Sequence, residues 1–304
     1  MPSPGTISGM RGLPYVGLLL CVAVTAQNRT AVGDLLEAKL IDRIRTVDAA
    51  SSGVLGVFAI DLESGHTISY HGDVVFPQAS SIKIPLMIEV FRQAREGKFK
   101  LNDMVVLQPA DAVAGSGYLR LMLAKAVNLS IEDLVTAMIA GSDNTATNRL
   151  IAMVGMEQVN ATMDKLGFRQ TRLRRKMIDA EAAAKNDENV STPREMAHLA
   201  ELLYRGKAVD AESSQHMLRI LKLVEADFRA SIPPAVEVAA KPGQLTGVLC
   251  ETGVVFVKGR PFALSVASTF LNDSSNPVPV IARAVYDYFA VLARSNRYGN
   301  GGVR

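Results

Sequence analysis

The 304-residue sequence is short of cysteine and histidine and has no region dominated by one sign of charge. Each shortage closes off a class of function. Its 33 basic and 30 acidic residues are interspersed, and the formal charge of +3 comes with no basic stripe of the kind that tracks phosphates. A nucleic-acid partner is therefore not expected. The four histidines, His66, His71, His198 and His216, form no HExxH or other close ligand pattern, so no metal and no other cofactor is expected. The two cysteines, Cys21 and Cys250, lie in very different settings. Cys250 sits in an apolar run with no histidine nearby in sequence, which reads as a buried, inert thiol rather than a nucleophile. No internal repeat is present.

What the chain does have is apolar residues, 48% of the total, enough for a substantial core. Arg11 precedes an apolar stretch from Leu13 to Ala26, and Val24-Thr25-Ala26 suits signal-peptidase cleavage before Gln27. Residues 1–26 are expected to be a removable leader, with export to the periplasm or the exterior. The other reading is an uncleaved anchor, but the run falls short of the roughly 20 apolar residues that span a bilayer. Cleavage would take Cys21 away, leaving Cys250 with no disulfide partner in the chain and the mature protein with no stable membrane partner. A monomer is expected.

Helical spacing of Leu35, Leu36, Leu40, Ile41 and Ile44 predicts an amphipathic helix over Val32–Ala49. Two β-rich runs follow, Val54–Leu62 and His66–Tyr70, about a turn at Glu63-Ser64-Gly65. Helical pattern then dominates from Ile82 to Leu221. Ser130 with Asp133 makes a capping box, and Thr192-Pro193-Arg194-Glu195 combines an N-cap, a first-turn proline and a glutamate. β character returns in Val236–Ala240, Gly247–Val257 and Pro261–Thr269, and a last helix covers Pro277–Arg294. This order predicts an α+β fold: an antiparallel sheet of about five strands assembled from both chain ends, flanked by the N- and C-terminal helices, with an all-helical subdomain inserted. The expected domain runs over 27–298, its sheet lobe over about 30–75 and 225–298 and its helical lobe over about 76–224. Residues 299–304 are glycine-rich and expected to be disordered. A cleft where the two lobes meet is a favoured ligand site.

Three short motifs fall on that framework. Ser80-Ser81-Ile82-Lys83 opens a helix and puts a serine one turn from a lysine, where the helix terminus adds N–H groups and positive potential. Alone, that spacing is common and reads as a capped helix with an exposed lysine. Ser142-Asp143-Asn144 alone reads as a polar turn and N-cap, and Lys241-Pro242-Gly243 as a strand terminus. Together and in this order they resemble the SxxK, SDN and KTG set of class A β-lactamases and penicillin-binding proteins. The resemblance extends over essentially the whole mature chain, including Thr171-Arg172-Leu173 and Thr192-Pro193 at the two ends of an Ω-type loop.

The resemblance implies acyl-transfer chemistry. Ser80 would attack the carbonyl, with Lys83 as base or proton relay. Ser142 would pass a proton to the leaving nitrogen and Asn144 would hydrogen-bond the acyl side chain. Lys241 would support the relay and a substrate carboxylate, and Gly243 would sit beside the backbone N–H of Gln244, which with that of Ser80 would make the oxyanion hole. The implied partner is a small-molecule β-lactam or a cell-wall peptide.

Four departures from the family pattern are visible. Met177 stands where the Ω loop normally carries the glutamate that activates the deacylating water. If this stretch is helical, Glu181 lies one turn on and on the same face, and either it or Asp179 is the expected replacement base. The alternative is that both are solvated loop acids. Arg175 would face Asn189 in place of an aspartate, with Glu188 beside it as a substitute. Pro242 removes both a hydroxyl and a backbone N–H, and Leu249 and Cys250 stand near the usual place of an arginine. Carboxylate recognition is weakened unless Arg229 or another arginine reaches in. The open readings are thus a turning-over β-lactamase, a slowly deacylating penicillin-binding or D,D-peptidase-like protein, a hydrolase of another ester or amide, and a non-catalytic sensing module.

Overall fold

An unbroken apolar run makes an inner strand of the sheet. In Val54–Asp61 (β1), Val57 and Ala59 face one way and Phe58 and Ile60 the other, and both faces are buried. Such a strand needs cover on both sides, and the computed structural model, which describes residues 1, 30–272 and 274–301, supplies it. The expected leader lies, Met1 apart, outside the described residues, as do residues 302–304 of the expected tail; residues 299–301 close a turn in which Gly301 bridges Ser295.

The chain opens with α1 (Ala31–Ala50), capped by Thr30, followed by β1 and β2 (Thr67–Tyr70). Then come β3 (Phe76–Pro77), a 3-10 turn over Ala79–Ile82, and α2 (Lys83–Arg95). The helical region continues through β4 (Met104–Leu107), α3 (Leu119–Met122), β5 (Val127–Ser130), α4 (Ile131–Ala140), α5 (Asn144–Val154) and α6 (Met156–Lys165). After the long loop carrying α7 (Ala180–Ala184) come β6 (Val190–Ser191), α8 (Pro193–Tyr204), α9 (Ala211–Leu221) and α10 (Asp227–Ser231). Strands β7 (Val238–Leu245), β8 (Val248–Val255) and β9 (Phe262–Thr269) and the helix α11 (Pro277–Arg294) finish the fold.

The five-stranded antiparallel sheet has the order β2-β1-β9-β8-β7, so both ends of the chain build it, as the sequence predicts. One face packs under α1 and α11, through Val57, Leu264, Val266, Ile281, Val285 and Phe289. The other carries Phe58, Ile60 and Ala263 into the core of the helical region with Leu86, Leu134, Leu150 and Leu199. The capping signals mark true helix starts: Ser130 and Asp133 form a reciprocal capping box on α4, and Thr192 caps α8. Among the described residues no helix is long and apolar enough to cross a membrane.

Two details differ from the sequence pattern. Two small ribbons, β3 with β6 and β4 with β5, interrupt the helical region. Also, Lys241-Pro242-Gly243 does not end a strand: β7 runs through it to Leu245. Proline is tolerated there because β7 is the sheet edge.

Pro242 is paired with Glu251 of β8, whose carboxyl is buried and accepts the backbone N–H of Phe228 at 3.1 Å. Burial pushes this carboxyl up to about 8, the charge of Asp227 adding to the effect against the backbone N–H groups of Phe228 and Asp227 and the charge of Lys241. The folded protein thus holds a proton that the unfolded chain releases near the ordinary value of 4.5. The stability this proton gives is complete below that ordinary value and is lost as pH rises through about 8. Glu251→Gln, which keeps the acceptor and removes the ionisation, is expected to raise the Tm at alkaline pH by about 3–6 °C and to leave it unchanged in acid, by calorimetry across pH.

Candidate active site

Ser80 lies in the 3-10 turn ahead of α2, at the entrance to the helical region. The preceding Ala79 takes a left-handed φ of 42°, uncommon for a residue with a side chain. Strand β7 lies directly against this turn. Ser81 Oγ donates to Lys241 O at 2.9 Å, and a Cβ on Gly243 would come within 2.8 Å of Ser80 N and 2.6 Å of Gln78 O. Only glycine permits that approach. Behind it, the buried Cys250 thiol donates to Gln78 O at 3.1 Å, and burial holds it in the thiol form, pushed up to about 11.

Lys83 is fully buried at the start of α2. Its Nζ donates to Ser142 O at 2.8 Å, Ser142 Oγ at 3.2 Å and Asn144 Oδ1 at 3.1 Å. Burial drives its pKa down to about 6, the charge of Lys241 adds to the depression, and Asp143 opposes it. Lys241 is itself buried and lowered to about 8, again chiefly by burial, with Cys250 and Glu251 pulling the other way. Two amines of different basicity therefore share one water-poor region, Lys83 being the more readily deprotonated.

The turn that receives Lys83 is held from below. Asp143 caps α5 through Ala146 N at 2.9 Å and also accepts Leu119 N at 2.8 Å, while Asn144 N donates to Ser116 O at 3.1 Å. Ser142 pays for this grip with a φ of 50°. Asn144 Nδ2 donates to Ala114 O at 3.0 Å, fixing the orientation of the amide.

A cavity of about 240 Å³ lies in front of Ser80, with Asn144, Gln244 and Asp179 also on its wall. Four of the predicted site residues thus line one cleft. Lys83 joins it through its bond to Asn144, Ser142 joins it through its bonds to Lys83, and Lys241 lies close enough for its charge to act on Lys83. The opposite wall is the long loop. Arg175 pairs with Glu188 at 2.8 Å while Asn189 Oδ1 accepts Arg174 N and Arg175 N, so Glu188 supplies the ionic contact and Asn189 the backbone one. Met177 is buried on this wall, its backbone gripped by the Asn148 amide, which accepts from Met177 N at 2.8 Å and donates to Met177 O at 3.1 Å.

Glu181 is a correction. Helix α7 starts only at Ala180, with Asp179 as its cap and Ile178 at a φ of 59°, so Met177 and Glu181 do not share a helical face. The Glu181 side chain is 81% exposed and pairs with Lys185 at 2.7 Å, outside the cleft lining. Asp179 does line the cleft, with Oδ1 engaged by Ala182 N at 3.0 Å. Arg229 does not reach in either; its guanidinium donates to Lys222 O and Val238 O. Three supporting residues were not foreseen from sequence: Asp143, Asn148 and Ser116. Asp143 was visible as a helix cap, and Asn148 as the residue one turn after Asn144 on the same helix face.

A five-stranded antiparallel sheet, a helical insertion and this cleft define a protein of the class A β-lactamase-like type. The chain belongs to the beta-lactamase enzyme family, whose model matches residues 39–289. It is 29% identical to beta-lactamase SME-1 of Serratia marcescens over 82% of this chain and 86% of that protein. It is 30% identical to an imipenem-hydrolyzing beta-lactamase of Enterobacter cloacae over 76% of this chain and 82% of that protein. Among solved structures, a beta-lactamase from Sphaerobacter thermophilus superposes with a TM-score of 0.76 at 33% identity, covering 82% of this chain and 96% of that one. PBP-A shares the fold, with a TM-score of 0.75 at 24% identity, covering 84% of this chain and 96% of that one.

The two lysines give the cleft a pH signature. Acylation by a chromogenic cephalosporin is expected to rise as Lys83 loses its proton near pH 6 and to fall as Lys241 loses its own near pH 8. The rate at one unit below the Lys83 value should be about tenfold under that at neutral pH, read by stopped-flow across the range.

Proposed function

We propose that this chain is a serine hydrolase of the β-lactamase type that forms an acyl-enzyme on Ser80. The observation that carries the reading is the buried Lys83 amine, bonded to Ser142 Oγ and Asn144 Oδ1 and kept weakly basic. Neutral Lys83 accepts the Ser80 proton as Oγ attacks the carbonyl carbon. The N–H groups of Ser80 and Gln244 receive the developing oxyanion, a contribution that costs on the order of 3 kcal/mol when one donor is lost. The proton then passes along the 3.2 Å contact from Lys83 to Ser142 and on to the leaving nitrogen. Asn144 holds the acyl side chain and Lys241 supports the proton relay.

Deacylation is a separate matter, and one observation favours a slow step. The wall position that would activate water holds the thioether of Met177; of the two carboxylates expected to replace it, Glu181 points to solvent, and Asp179 lines the cleft with Oδ1 committed to the Ala182 N–H as the cap of α7. A long-lived acyl-enzyme, as in a penicillin-binding or D,D-peptidase-like protein, fits that wall better than rapid turnover of a β-lactam.

Incubation with a chromogenic cephalosporin, followed by intact mass over time, tests both parts. A covalent adduct that disappears in Ser80→Ala is expected, and it should persist over many minutes. Met177→Glu, which puts a carboxylate where the thioether now lies, should hasten its loss by about 100-fold. Absence of any adduct on correctly folded protein would sink the acylation reading and leave a binding module; rapid loss from the unmodified chain would sink the slow-release reading alone.

A further inference from the structure

The two sides of the cleft differ from what a carboxylated substrate needs. On the β7 side, Pro242 offers neither hydroxyl nor N–H, and the Cys250 thiol is engaged by the carbonyls of Gln78 and Gly243. The Arg229 guanidinium is spent on backbone carbonyls, leaving Lys241 as a single point charge with no forked partner. On the loop side, the Arg175 guanidinium that borders the cleft is matched by Glu188, and Asp179, which caps α7, adds a carboxylate to the lining with no cationic partner among the described residues. A carboxylate entering here meets one buried cation and one repelling carboxylate. The remaining loop wall is apolar, made by Met177, Ile178, Ala180 and Ala183 and faced across the cleft by Leu245. Ile178 is 53% exposed at the rim, an apolar side chain held toward the opening on a strained backbone.

Resting on the Ser80 acyl-transfer reading, we propose that the preferred substrates are neutral acyl donors, esters or amides without a carboxylate, whose acyl chain is apolar and lies along the Met177–Ala183 wall. In the ester case, the bond from Ser80 Oγ to the acyl carbon forms as the bond from that carbon to the alkoxy or aryloxy oxygen breaks. The electron pair leaves with that oxygen, which receives the Ser80 proton by way of Lys83. Water then cleaves the acyl–Oγ bond, releasing a carboxylic acid and restoring the serine. Chain length is read by burial of methylenes against the wall, and absence of a carboxylate avoids the charge of Asp179.

The test uses the mature chain and a series of p-nitrophenyl esters from acetyl to octanoyl, beside benzylpenicillin and a chromogenic cephalosporin. The quantity measured is the second-order acylation rate constant, from the p-nitrophenolate burst and from adduct mass, so that slow deacylation does not enter. The expected result is a rise of about tenfold or more from acetyl to hexanoyl, with hexanoyl ester exceeding both β-lactams after subtraction of the Ser80→Ala rate. Ile178→Asp should flatten the chain-length series, and Pro242→Thr should raise the β-lactam rates while leaving the series intact. Rates independent of chain length, or β-lactams acylating faster than every ester, would overturn the substrate assignment while the Ser80 adduct still stood. No Ser80 adduct from any donor would overturn the acyl-transfer reading and the assignment with it.

Discussion

A lysine amine taken out of water must find acceptors within reach, and at Lys83 these are Ser142 O, Ser142 Oγ and Asn144 Oδ1. Satisfying that amine fixes the distance between α2 and the turn before α5, and with it the floor of the cleft. The turn can meet the amine only in an unfavourable backbone conformation, which Asp143 holds by bonding forward to α5 and sideways to Leu119. With no carboxylate in direct contact, the amine sheds its proton easily. The same burial that makes Lys83 hard to accommodate as an ammonium favours the free amine.

Around this point the backbone is strained in three separate segments. Ala79, Ser142 and Ile178 all have left-handed φ, and they come from the turn before α2, the turn before α5 and the long loop. Strain of this kind survives only where surrounding contacts over-determine it. Here those contacts are β7 packed through Gly243, the Asp143 bonds, and the Asn148 grip on Met177. The three walls of the cleft are thus each set by hydrogen bonds reaching across the chain, which is how a site keeps its shape before a ligand arrives.

What was legible in the sequence was whatever local chemistry dictates. Helix α8 begins at Thr192-Pro193 and α4 at Ser130 because capping side chains act within one turn, and β1 betrays itself by an unbroken apolar run. The ribbons β3–β6 and β4–β5 gave no signal, since two to four residues carry no readable period and their partners lie far away in sequence. The motifs located the cleft because each carries its own local geometry: a turn into a helix, a capped turn, an edge strand. Glu181 misled for a physical reason. Asp179 competes for the helix start by capping α7, which moves the register two residues on from Met177 and sends the glutamate outward. Whether a side chain faces in or out of a five-residue helix depends on that one cap.

The sheet order carries a consequence for how the protein comes into being. Ser80 and Lys83 are made early, but the strand that closes over them, β7, is joined to the turn by a bond spanning 160 residues. Contacts so distant in sequence form late, because the intervening chain must already be ordered. A growing chain that has not yet produced residues 238–255 therefore holds its serine beside an open helical half, without Lys241 or the Gln244 N–H. The finished cleft arrives together with the final seam of the sheet, so a partly made chain carries Ser80 and Lys83 without the strand that closes over them.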